Sequence, residues 1–426
     1  MPDSSLTARS LTVAHFSTYE TMGGAAIAAR RIHRNLRNAG VASTLYVAQK
    51  TSADTSVQAL PPRFRRFFIY VSRDLDKLPL KRYPGYTKGY FSPGWLTSVL
   101  APEINRLGAD IVHLHWINHG YLSIDTIGKI RSPVVWTLHD SWPFTGGCHI
   151  PAGCDKYTLK CGECPLLGSH GRSDLTARCL ERKKRRWEKL NLTIVAPSRW
   201  MANCASASAL FHDRPVRVIP HGIDTETFKP LDKAEGRKRF SLPEQAFLIL
   251  FGAYKATNDH NKGFDLLRKS LISLQRQHPG KNMELIVFGT AGGGDSPALP
   301  FPCRHLGYLD EKTLARLYPA ADVMLVPSRQ ESFCQTAIEA MSCGTPVVAF
   351  NATGPRDIID HLQNGYLAEP YSTGDFAHGI QWVMNRTDSS TSLSRSAREK
   401  VERSFSETVV RKRYLDLYSE IGDNRI

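Results

Sequence analysis

The chain has 426 residues, of which 42% are hydrophobic, and it carries a formal net charge of +15. This length predicts two or three domains. No run of about 18 uncharged apolar residues occurs, which excludes a helix able to span a bilayer. The first ten residues lack the pattern of a secretory signal. We therefore expect a cytoplasmic protein whose nine cysteines are reduced.

Positive charge favours anionic partners and is concentrated in two segments. In the first, Arg63 to Tyr90, basic residues are interleaved with aromatic ones. This pattern suits the surface of an anionic inner membrane. We interpret the longer stretch that contains it, residues 51–101, as an excursion from a sheet. The second segment, Arg182 to Arg186, indicates the solvated face of a charged helix.

The first predicted strand, Leu11 to Phe16, leads through a turn into an amphipathic helix, and Val41 to Val47 is the next strand. Gly23 and Gly24 lie directly before that helix. Glycine lets a backbone approach a ligand closely, and the free N–H groups of a helix start attract anions. The spacing is not that of a dinucleotide-binding fingerprint, so the pair also fits an ordinary turn.

Two further strands end in histidines. Asp110 to Trp116 carries His113 and His115 on one face. They are a potential metal pair, but no carboxylate or cysteine stands nearby to complete it, so we expect polar residues lining a cleft at a strand end. Val134 to Leu138 ends in His139, followed by an acid, at the position where α/β active sites lie. A histidine there can donate a hydrogen bond or exchange a proton.

Four cysteines fall in one loop with little core-forming sequence: Cys148, Cys154, Cys161 and Cys164. The last two have the C-x-x-C spacing of a zinc knuckle, which favours a structural zinc site. The alternatives are four unligated thiols or, less in keeping with a reducing cytosol, disulfides. Redox chemistry is a further alternative, although the βαβ setting of thioredoxin-like motifs is absent.

The strand–helix rhythm restarts after the turn at His221 to Asp224. We expect an N-terminal domain over residues 1–225, a C-terminal domain over 226–405, and a final helix at 406–426 that packs back on the N-terminal domain. The predicted strands of the second half are Phe247–Phe251, Met283–Phe288, Arg304–Leu309, Val323–Val326, Val347–Phe350 and Tyr366–Ala368. Two α/β halves joined by a hinge predict a ligand-binding cleft between them.

The most informative stretch runs from Pro327 to Pro346, as a polar turn and a short helix between two apolar strands. Glu331 lies in the turn, and Glu339 lies about two helical turns further on. Both glutamates also fit ordinary surface positions. Upstream, Lys255 and Lys262 flank a loop that begins a helix, where they could clamp a diphosphate or simply be surface lysines.

Taken together, the chain resembles the retaining glycosyltransferases of family 4, which have the two-domain GT-B fold. The resemblance rests on Gly23-Gly24, His139, the segments Val195–Ser198 and Ile219–Pro230, Lys262-Gly263, and the E-x7-E pair Glu331 and Glu339. More narrowly, Trp136 to Trp142 with the cysteine loop and Pro165 is similar to a branch that builds exopolysaccharides of the colanic-acid type.

The resemblance implies transfer of a sugar from a nucleotide diphosphate sugar with retention of anomeric configuration and without a catalytic metal. It assigns Glu331 to hydroxyls of the donor sugar and Glu339 to the ribose. The backbone at Phe333 and Cys334 would meet the diphosphate, and Lys262 would neutralise the leaving phosphate.

In the other domain, the resemblance assigns His139 to the donor sugar, and Gly23 and Gly24 to a loop that closes on donor and acceptor.

Three positions depart from the family pattern. Lys255 stands near the place where an arginine is usual, Cys334 stands where glycine is common, and Pro355-Arg356-Asp357 replaces a segment that usually contains a glutamate. These departures affect the phosphate contacts and one donor contact.

We therefore predict a cytoplasmic hexosyltransferase, peripheral on the inner membrane, that extends a lipid-linked polysaccharide intermediate and does not act on nucleic acid. One alternative is a GT-B phosphorylase or synthase that makes a small glycoside. A non-enzymatic alternative is a basic nucleic-acid-binding protein with a zinc loop.

Overall fold

Two compact units form the chain. The computed structural model describes residues 11–60, 66–87, 89–96, 100–252, 259–289, 299–386 and 390–423. The N-terminal unit comprises Met1–Pro197, Met201–Ile219 and Arg411–Ile426, and the C-terminal unit comprises Ser198–Trp200 and Pro220–Val410. The change of unit at Pro220 comes before the turn at 221–224 because that turn pairs with the second unit: Ile223 N–H donates to Phe405 O at 2.9 Å.

The N-terminal unit is built on one parallel sheet of seven strands in the order β3-β2-β1-β4-β5-β6-β7. The central strands β4 and β5 are buried along their whole length, as expected where helices cover both faces. The strands are β1 Thr12–Tyr19, β2 Ala42–Gln49, β3 Val57–Ala59, β4 Ile111–Leu114, β5 Val134–Thr137, β6 Leu192–Ala196 and β7 Val216–Val218. The helices of this half are α1 Gly24–Asn38, α2 Arg66–Asp76, α3 Ala101–Arg106, α4 Ile124–Ile127, α5 Leu175–Trp187 and α6 Arg199–Ser206.

The interpretation of residues 51–101 as an excursion from the sheet is wrong at one place. Val57–Ala59 pairs with β2 in parallel and forms the edge of the sheet. Three residues are too short to show the alternation that identifies a strand in sequence. Val57 is nevertheless fully buried in a small cluster with Leu45 and Val47, and this burial holds the strand in place.

The C-terminal unit repeats the plan with six parallel strands in the order β10-β9-β8-β11-β12-β13. Numbered from its own first strand, this order is 3-2-1-4-5-6, the doubly wound arrangement of Rossmann-like domains. The strands are β8 Phe247–Gly252, β9 Met283–Phe288, β10 Cys303–His305, β11 Val323–Val326, β12 Val347–Phe350 and β13 Gly365–Ala368. The helices are α7 Lys233–Arg239, α8 Phe264–Gln277, α9 Glu311–Leu317, α10 Gln335–Ser342, α11 Thr373–Met384, α12 Ser390–Phe405 and α13 Glu407–Asp423.

Alternate residues of β8 enter two separate cores. Leu248 and Leu250 belong to one apolar cluster, whereas Phe247, Ile249 and Phe251 belong to the other. The period of two along a strand sends successive side chains to opposite faces, so each face of the sheet has its own helix layer. The predicted pair of Rossmann-like α/β domains is confirmed.

The last helix, α13, changes unit at Arg411. Within the N-terminal unit, the hydroxyl of Tyr418 lies 2.7 Å from His113 Nδ1, and that of Tyr414 lies 3.1 Å from Thr137 Oγ1. Both tyrosines are almost fully buried, so these hydrogen bonds fix the end of the chain beneath β4 and β5. Among the described helices, none combines the length and the apolar character needed to cross a bilayer.

Candidate functional site

The predicted donor residues gather at the switch point of the C-terminal sheet. β8 and β11 are neighbours there, although β9 and β10 lie between them in sequence. Lys262 follows β8 and Glu331 follows β11, so both lie beyond the carboxyl ends of adjacent parallel strands. In doubly wound sheets this is the place where ligands bind, because the loops part to either side.

Polar contacts join these two loops. Asn261 Nδ2 donates to Gln330 O at 2.7 Å, and Arg329 N–H donates to Asn261 O at 2.8 Å. The Arg329 guanidinium also makes a bidentate contact with Asp265 in the first turn of α8, at 2.8 and 2.7 Å. The two loops therefore form one rigid rim around the site.

Gly263 permits the closest approach in this rim. Its φ is +69°, a left-handed conformation, and a Cβ at this position would lie 2.0 Å from Pro327 O. No side chain fits there. The Lys262-Gly263 pair is therefore explained by packing as well as by chemistry: the glycine lets Lys262 stand directly against the Glu331 turn.

Replacing Gly263 with alanine is expected to lower the free energy of unfolding by at least about 2 kcal/mol, since backbone strain and a steric clash coincide. Urea denaturation of the purified variant measures this. Gly280→Ala is the matched control, because nothing lies within 4 Å of a Cβ at that glycine. Equal midpoints for the two variants would contradict the packing argument.

Lys262 and Glu331 form an ion pair, with Nζ 2.7 Å from Oε1. The two side chains are only 22% and 16% exposed. Burial alone would lower the pKa of Lys262, but the charge of Glu331 and the hydrogen bond to it outweigh burial and raise that pKa. The lysine is therefore a permanent cation at neutral pH, held at the mouth of the site.

The loop after β12 holds the backbone of Glu331. Thr353 Oγ1 accepts a hydrogen bond from Glu331 N–H at 3.1 Å, and Gly354 N–H donates to Glu331 O at 2.9 Å. Asp357, in the segment that departs from the family pattern, instead accepts from the backbone N–H of Arg199 and pairs with its guanidinium at 3.5 Å. It thus contacts Arg199 rather than the ion pair.

The N-terminus of α10 begins directly after Phe333 and Cys334. Phe333 is 1% exposed and packs edge-on against His221 and Phe405. Cys334 caps the helix with a φ of 101°, a conformation that suits glycine, which accounts for the glycine common at this position in the family. Burial, followed by the charge of Glu331, raises the pKa of the Cys334 thiol to about 12, so the thiol is neutral beside the helix start. The first turn of α10 contains no acidic residue.

Glu339 is buried rather than solvated, with an exposure of 5%. Its Oε2 accepts a hydrogen bond from the Tyr318 hydroxyl at 2.8 Å. Burial and the neighbouring charge of Glu339 raise the pKa of Tyr318 well above its ordinary value, so this tyrosine remains a hydrogen-bond donor. Sequence reasoning did not find Tyr318, because it lies before β11 and meets Glu339 only in the folded chain.

One predicted donor residue, Lys255, lies outside the described residues. Its role in binding a diphosphate stays a prediction from the sequence.

In the N-terminal unit, Gly23, Gly24 and His139 follow strands of one parallel sheet. Gly23 precedes α1 with a φ of +86°, and the space where a Cβ would lie is open. His139 follows β5, beside the neighbouring strand β4. All three residues thus lie beyond carboxyl strand ends, as the sequence predicted.

His139 ends a row of hydrogen-bonded imidazoles. His15 Nδ1 lies 3.0 Å from His115 Nε2, and His115 Nδ1 lies 3.1 Å from His139 Nε2. His113 and His115 are almost completely buried, so the expectation that they line a cleft is wrong. Burial lowers the pKa of His139 to about 4, against the opposing charge of Asp140, and the imidazole is therefore neutral at pH 7.

His15, His113 and His115 are also close enough to suggest a metal site, since their ligand atoms all lie within 4.8 Å of one another. Their nitrogens are largely used elsewhere. His113 contacts the Tyr418 and Thr137 hydroxyls, each at 2.7 Å, and both nitrogens of His115 contact histidines. Hydrogen bonding therefore explains this cluster better than metal coordination.

The buried histidines predict that acid weakens the fold. Burial lowers the pKa of His113 to about 3 and that of His139 to about 4, whereas an unfolded histidine titrates near pH 6.5. Below that pH these histidines are protonated in the unfolded chain but remain neutral in the folded chain. The free energy of unfolding should fall by up to about 1.4 kcal/mol per pH unit for each such histidine, and by about half of that at pH 6.5, where the unfolded imidazole is half protonated.

Urea denaturation between about pH 6.5 and about pH 5.5 measures this slope, before most carboxylates titrate. His113→Asn should reduce the slope by the share of one histidine, whereas a variant of the exposed His170, His170→Asn, should leave it unchanged. A flat profile for the unmodified protein would contradict the burial argument.

The prediction that Arg182 to Arg186 form a solvated face is wrong for one residue. Lys183 is fully buried, whereas Arg182 and Arg186 bind the carboxylate of Asp125. Helical spacing would have predicted the burial of Lys183. It lies one turn after Cys179 and one turn before Trp187, and both of these residues are buried.

The N-terminal part of the chain, residues 22–227, matches the family model for "Glycosyltransferase Family 4". Residues 232–400 match the model for "Glycosyl transferases group 1".

A D-inositol 3-phosphate glycosyltransferase from Saccharomonospora viridis is 33% identical over 220 residues, which are 48% of this chain and 50% of that protein. The match thus spans only half the length of this relative.

Two solved structures show the same fold. Sucrose-phosphate synthase from Thermosynechococcus elongatus superposes with a TM-score of 0.68 and 18% identity, covering 96% of this chain and 99% of the other. Anabaena HepE in complex with UDP-glucose gives a TM-score of 0.67 and 16% identity, covering 96% and 100%.

Fold and family matches together define the class: the chain has the GT-B fold, and its two parts are similar to family 4 and group 1 glycosyltransferases. These matches support the predicted glycosyltransferase class, whereas transfer of a hexose with retention stays a prediction.

Proposed function

We propose that the chain transfers a hexose from a nucleotide diphosphate sugar with retention of anomeric configuration. The observation that supports this most is the Lys262–Glu331 ion pair, with Nζ and Oε1 2.7 Å apart, in the turn that leads to α10 at the switch point of the C-terminal sheet. Each part of such a donor has a matching group here. The cation can bind the leaving phosphate, the carboxylate can accept from the sugar hydroxyls, and the helix N-terminus can bind the diphosphate.

In this proposal the backbone N–H groups that begin α10, next to Phe333 and Cys334, bind the diphosphate. Lys262 neutralises the charge that develops on the leaving phosphate, which is the electrostatic role worth most in such reactions. When the donor binds, the ammonium is shared between Glu331 and the phosphate, since Lys has three donors. The cation that the leaving group needs is therefore part of the chain, and no step assigned here requires a divalent ion.

Glu331 accepts hydrogen bonds from hydroxyls of the donor sugar, and Glu339 accepts from the ribose hydroxyls. The Tyr318 hydroxyl orients Glu339 from below at 2.8 Å. A carboxylate can accept several hydrogen bonds, so Glu339 can accept from ribose hydroxyls while it keeps the bond from Tyr318. Tyr318 is a positioning residue in this scheme.

His139 binds a hydroxyl of the donor sugar as a neutral imidazole. A pKa of about 4, lowered chiefly by burial, keeps it uncharged, so its contribution should not titrate near neutral pH. Gly23 and Gly24 leave room for a sugar or phosphate next to the start of α1, since the space beside Gly23 is open.

The acceptor we propose is a growing lipid-linked polysaccharide intermediate, in an exopolysaccharide pathway at the cytoplasmic face of the inner membrane. The basic and aromatic segment from Arg63 to Tyr90, part of which lies outside the described residues, would dock on anionic lipid. Co-sedimentation with anionic vesicles at low salt tests this; protein that stays in the supernatant would remove the membrane proposal.

A second candidate is a small glycoside, because the relative from Saccharomonospora viridis carries the name of an inositol phosphate glycosyltransferase. Acceptor competition separates the two. The protein is incubated with UDP-glucose and either lipid-linked oligosaccharides or inositol 3-phosphate, and UDP release and product mass are measured. Product on the lipid supports the first candidate, and product on inositol phosphate supports the second. UDP release with neither acceptor above background, across a panel of nucleotide sugars, would contradict both.

A further inference from the structure

The cysteine loop brings its chain segments together around the first turn of α5. Gly162 N–H donates to Thr176 Oγ1 at 2.9 Å, and a Cβ on Gly146 would lie only 2.4 Å from Thr176 O. Cys161 directly precedes Gly162, and Cys148 lies two residues after Gly146. Cys148 also packs against the apolar cluster that contains Cys164. Segments that are distant along the loop therefore converge on one place.

The turn that carries Cys161 and Cys164 has an unusual backbone. Cys161, Gly162 and Glu163 have successive φ values of 56°, 94° and 44°. A Cβ on Gly162 would lie 2.3 Å from Arg172 O, so only glycine fits there. Left-handed conformations at non-glycine residues cost on the order of 1–3 kcal/mol each and persist where the surroundings enforce them. A shared ligand for the flanking thiols would enforce this turn.

Hydrogen bonds from the backbone reach the sulfurs. The backbone at Leu167 and Leu166 bonds to the Cys164 sulfur, and that at Gly146 bonds to the Cys161 sulfur. Burial is the larger effect and raises the pKa of the Cys148, Cys161 and Cys164 thiols, so these thiols are neutral without a bound ion. Cys148 lies close enough to Cys161, Cys164 and Cys154 for their charges to affect it.

A buried cation stands beside this group. Lys183 is fully buried, and its Nζ donates to Trp142 O and, at 3.0 Å, to Thr145 O, above the ring of Trp142. Thr145 Oγ1 in turn donates to Cys148 O at 2.6 Å. Among the described carboxylates none pairs with this ammonium. A buried ammonium without an anion is costly and tends to lose its proton, so an anionic centre beside Lys183 would stabilise its charged form.

We propose that Cys148, Cys154, Cys161 and Cys164 bind one structural zinc ion, and that the resulting anionic centre is the partner of Lys183. Four thiolates around Zn²⁺ leave a formal net charge of about −2, and each thiol releases a proton on binding. Among the described residues the group with mutual ligand spacings within 4.8 Å is the histidine triad, so the proposal requires the four sulfurs to move closer together than they stand in this structure.

The zinc centre would stabilise the position of His139, the histidine proposed to bind the donor sugar. His149 follows Cys148 directly, and its Nδ1 lies 2.6 Å from Asp140 Oδ2, whereas Asp140 itself follows His139. Tying down the loop therefore fixes the residues next to His139 without placing the metal in the reaction.

Metal analysis of the purified full-length protein tests the proposal, and its outcome does not depend on any transferase assay. We expect about one zinc per chain and thiols of the loop that react with a disulfide reagent only after a chelator removes the metal. Cys161→Ser/Cys164→Ser should lose the zinc. Cys303→Ser, whose sulfur lies 3.6 Å from His305 in the C-terminal unit, is the matched control and should keep it. Zinc absent from the unmodified protein, disulfides within the loop, or zinc retained by the double variant would each overturn the proposal.

Two further measurements test the proposal even if the Cys161→Ser/Cys164→Ser variant fails to fold. Unmodified protein prepared with Co²⁺ in place of zinc should show thiolate-to-cobalt charge-transfer absorption, and its absence would overturn the thiolate ligand set. Lys183→Met should lose zinc to a chelator at least about tenfold faster than the unmodified protein, because the anionic centre loses its partner. Lys184→Met, at an exposed position of the same helix, should not. Equal rates for the two variants would overturn the charge pairing.

Discussion

Glu331→Gln is expected to lower the turnover of glycosyl transfer about a hundredfold, with a smaller change in the affinity for the donor. Glutamine keeps the shape of the side chain but removes the charge that pairs with Lys262 at 2.7 Å and that accepts hydrogen bonds from the sugar hydroxyls. Because the carboxylate is only 16% exposed, water cannot replace it well. Initial rates of UDP release at saturating donor measure the effect.

Glu399→Gln, at an exposed position on α12 of the same unit, is the matched control and should keep normal turnover. Turnover of Glu331→Gln within about twofold of the unmodified enzyme would contradict the assignment, since a group that acts only in the transition state is worth more than that.

The Lys262–Glu331 contact adds a second, independent readout. Lys262→Met removes the cation and leaves Glu331 without its ion-pair partner, so its turnover should also fall about a hundredfold. The double variant should be far less impaired than the product of the two single losses, because residues in contact are not additive. A fully multiplicative loss would show that the two side chains act separately.

Glu339→Gln is expected to weaken binding of the free nucleotide diphosphate at least about tenfold, which corresponds to about 1.4 kcal/mol. The carboxylate is 5% exposed, and a hydrogen bond to a buried charge is worth about 1.5–3 kcal/mol. Titration calorimetry with UDP, or with the nucleoside diphosphate of whichever donor supports turnover, isolates the ribose contact because no sugar is present to mask the effect.

Tyr318→Phe separates positioning from direct binding. It removes only the hydroxyl that donates to Glu339 Oε2 at 2.8 Å, so it should weaken UDP binding by less than Glu339→Gln does. Unchanged affinity in Glu339→Gln would contradict the ribose role, and a larger loss in Tyr318→Phe would place the tyrosine, rather than the glutamate, at the nucleotide.

The strands of the C-terminal sheet were predictable because they are near-continuous apolar runs bounded by polar turns, the signature of strands buried on both faces. β8, β9, β11 and β12 appear close to their predicted limits. β3 was not predictable, because three residues leave no period to read.

The candidate site was predictable as a set of residue types and only partly as a geometry. Glu331, Glu339 and Lys262 carry the resemblance in sequence. The ion pair between two of them depends on the pairing of β8 with β11, which brings together residues 69 positions apart along the chain. The contacts of Tyr318 and Thr353 likewise arise from long-range packing. The local sequence around Tyr318 and Thr353 does not predict these contacts, because the residues that they contact are not their neighbours in sequence.

The burial of Lys183, by contrast, was predictable from the sequence, although the basic residues around it suggested an exposed position. A run of five basic residues suggests a solvated face, yet the run spans more than one helical turn, so one member must point inward. Its position between Cys179 and Trp187 on α5 identifies that member.

The most direct test of the proposed retaining transfer is the configuration of its product. The α-linked nucleotide sugar and the acceptor that together support turnover are incubated with the protein, and the product is examined by NMR as it forms. An α-linked product is expected, because the Glu331, Lys262 and α10 arrangement is proposed to act in retaining transfer. A β-linked product would contradict the account.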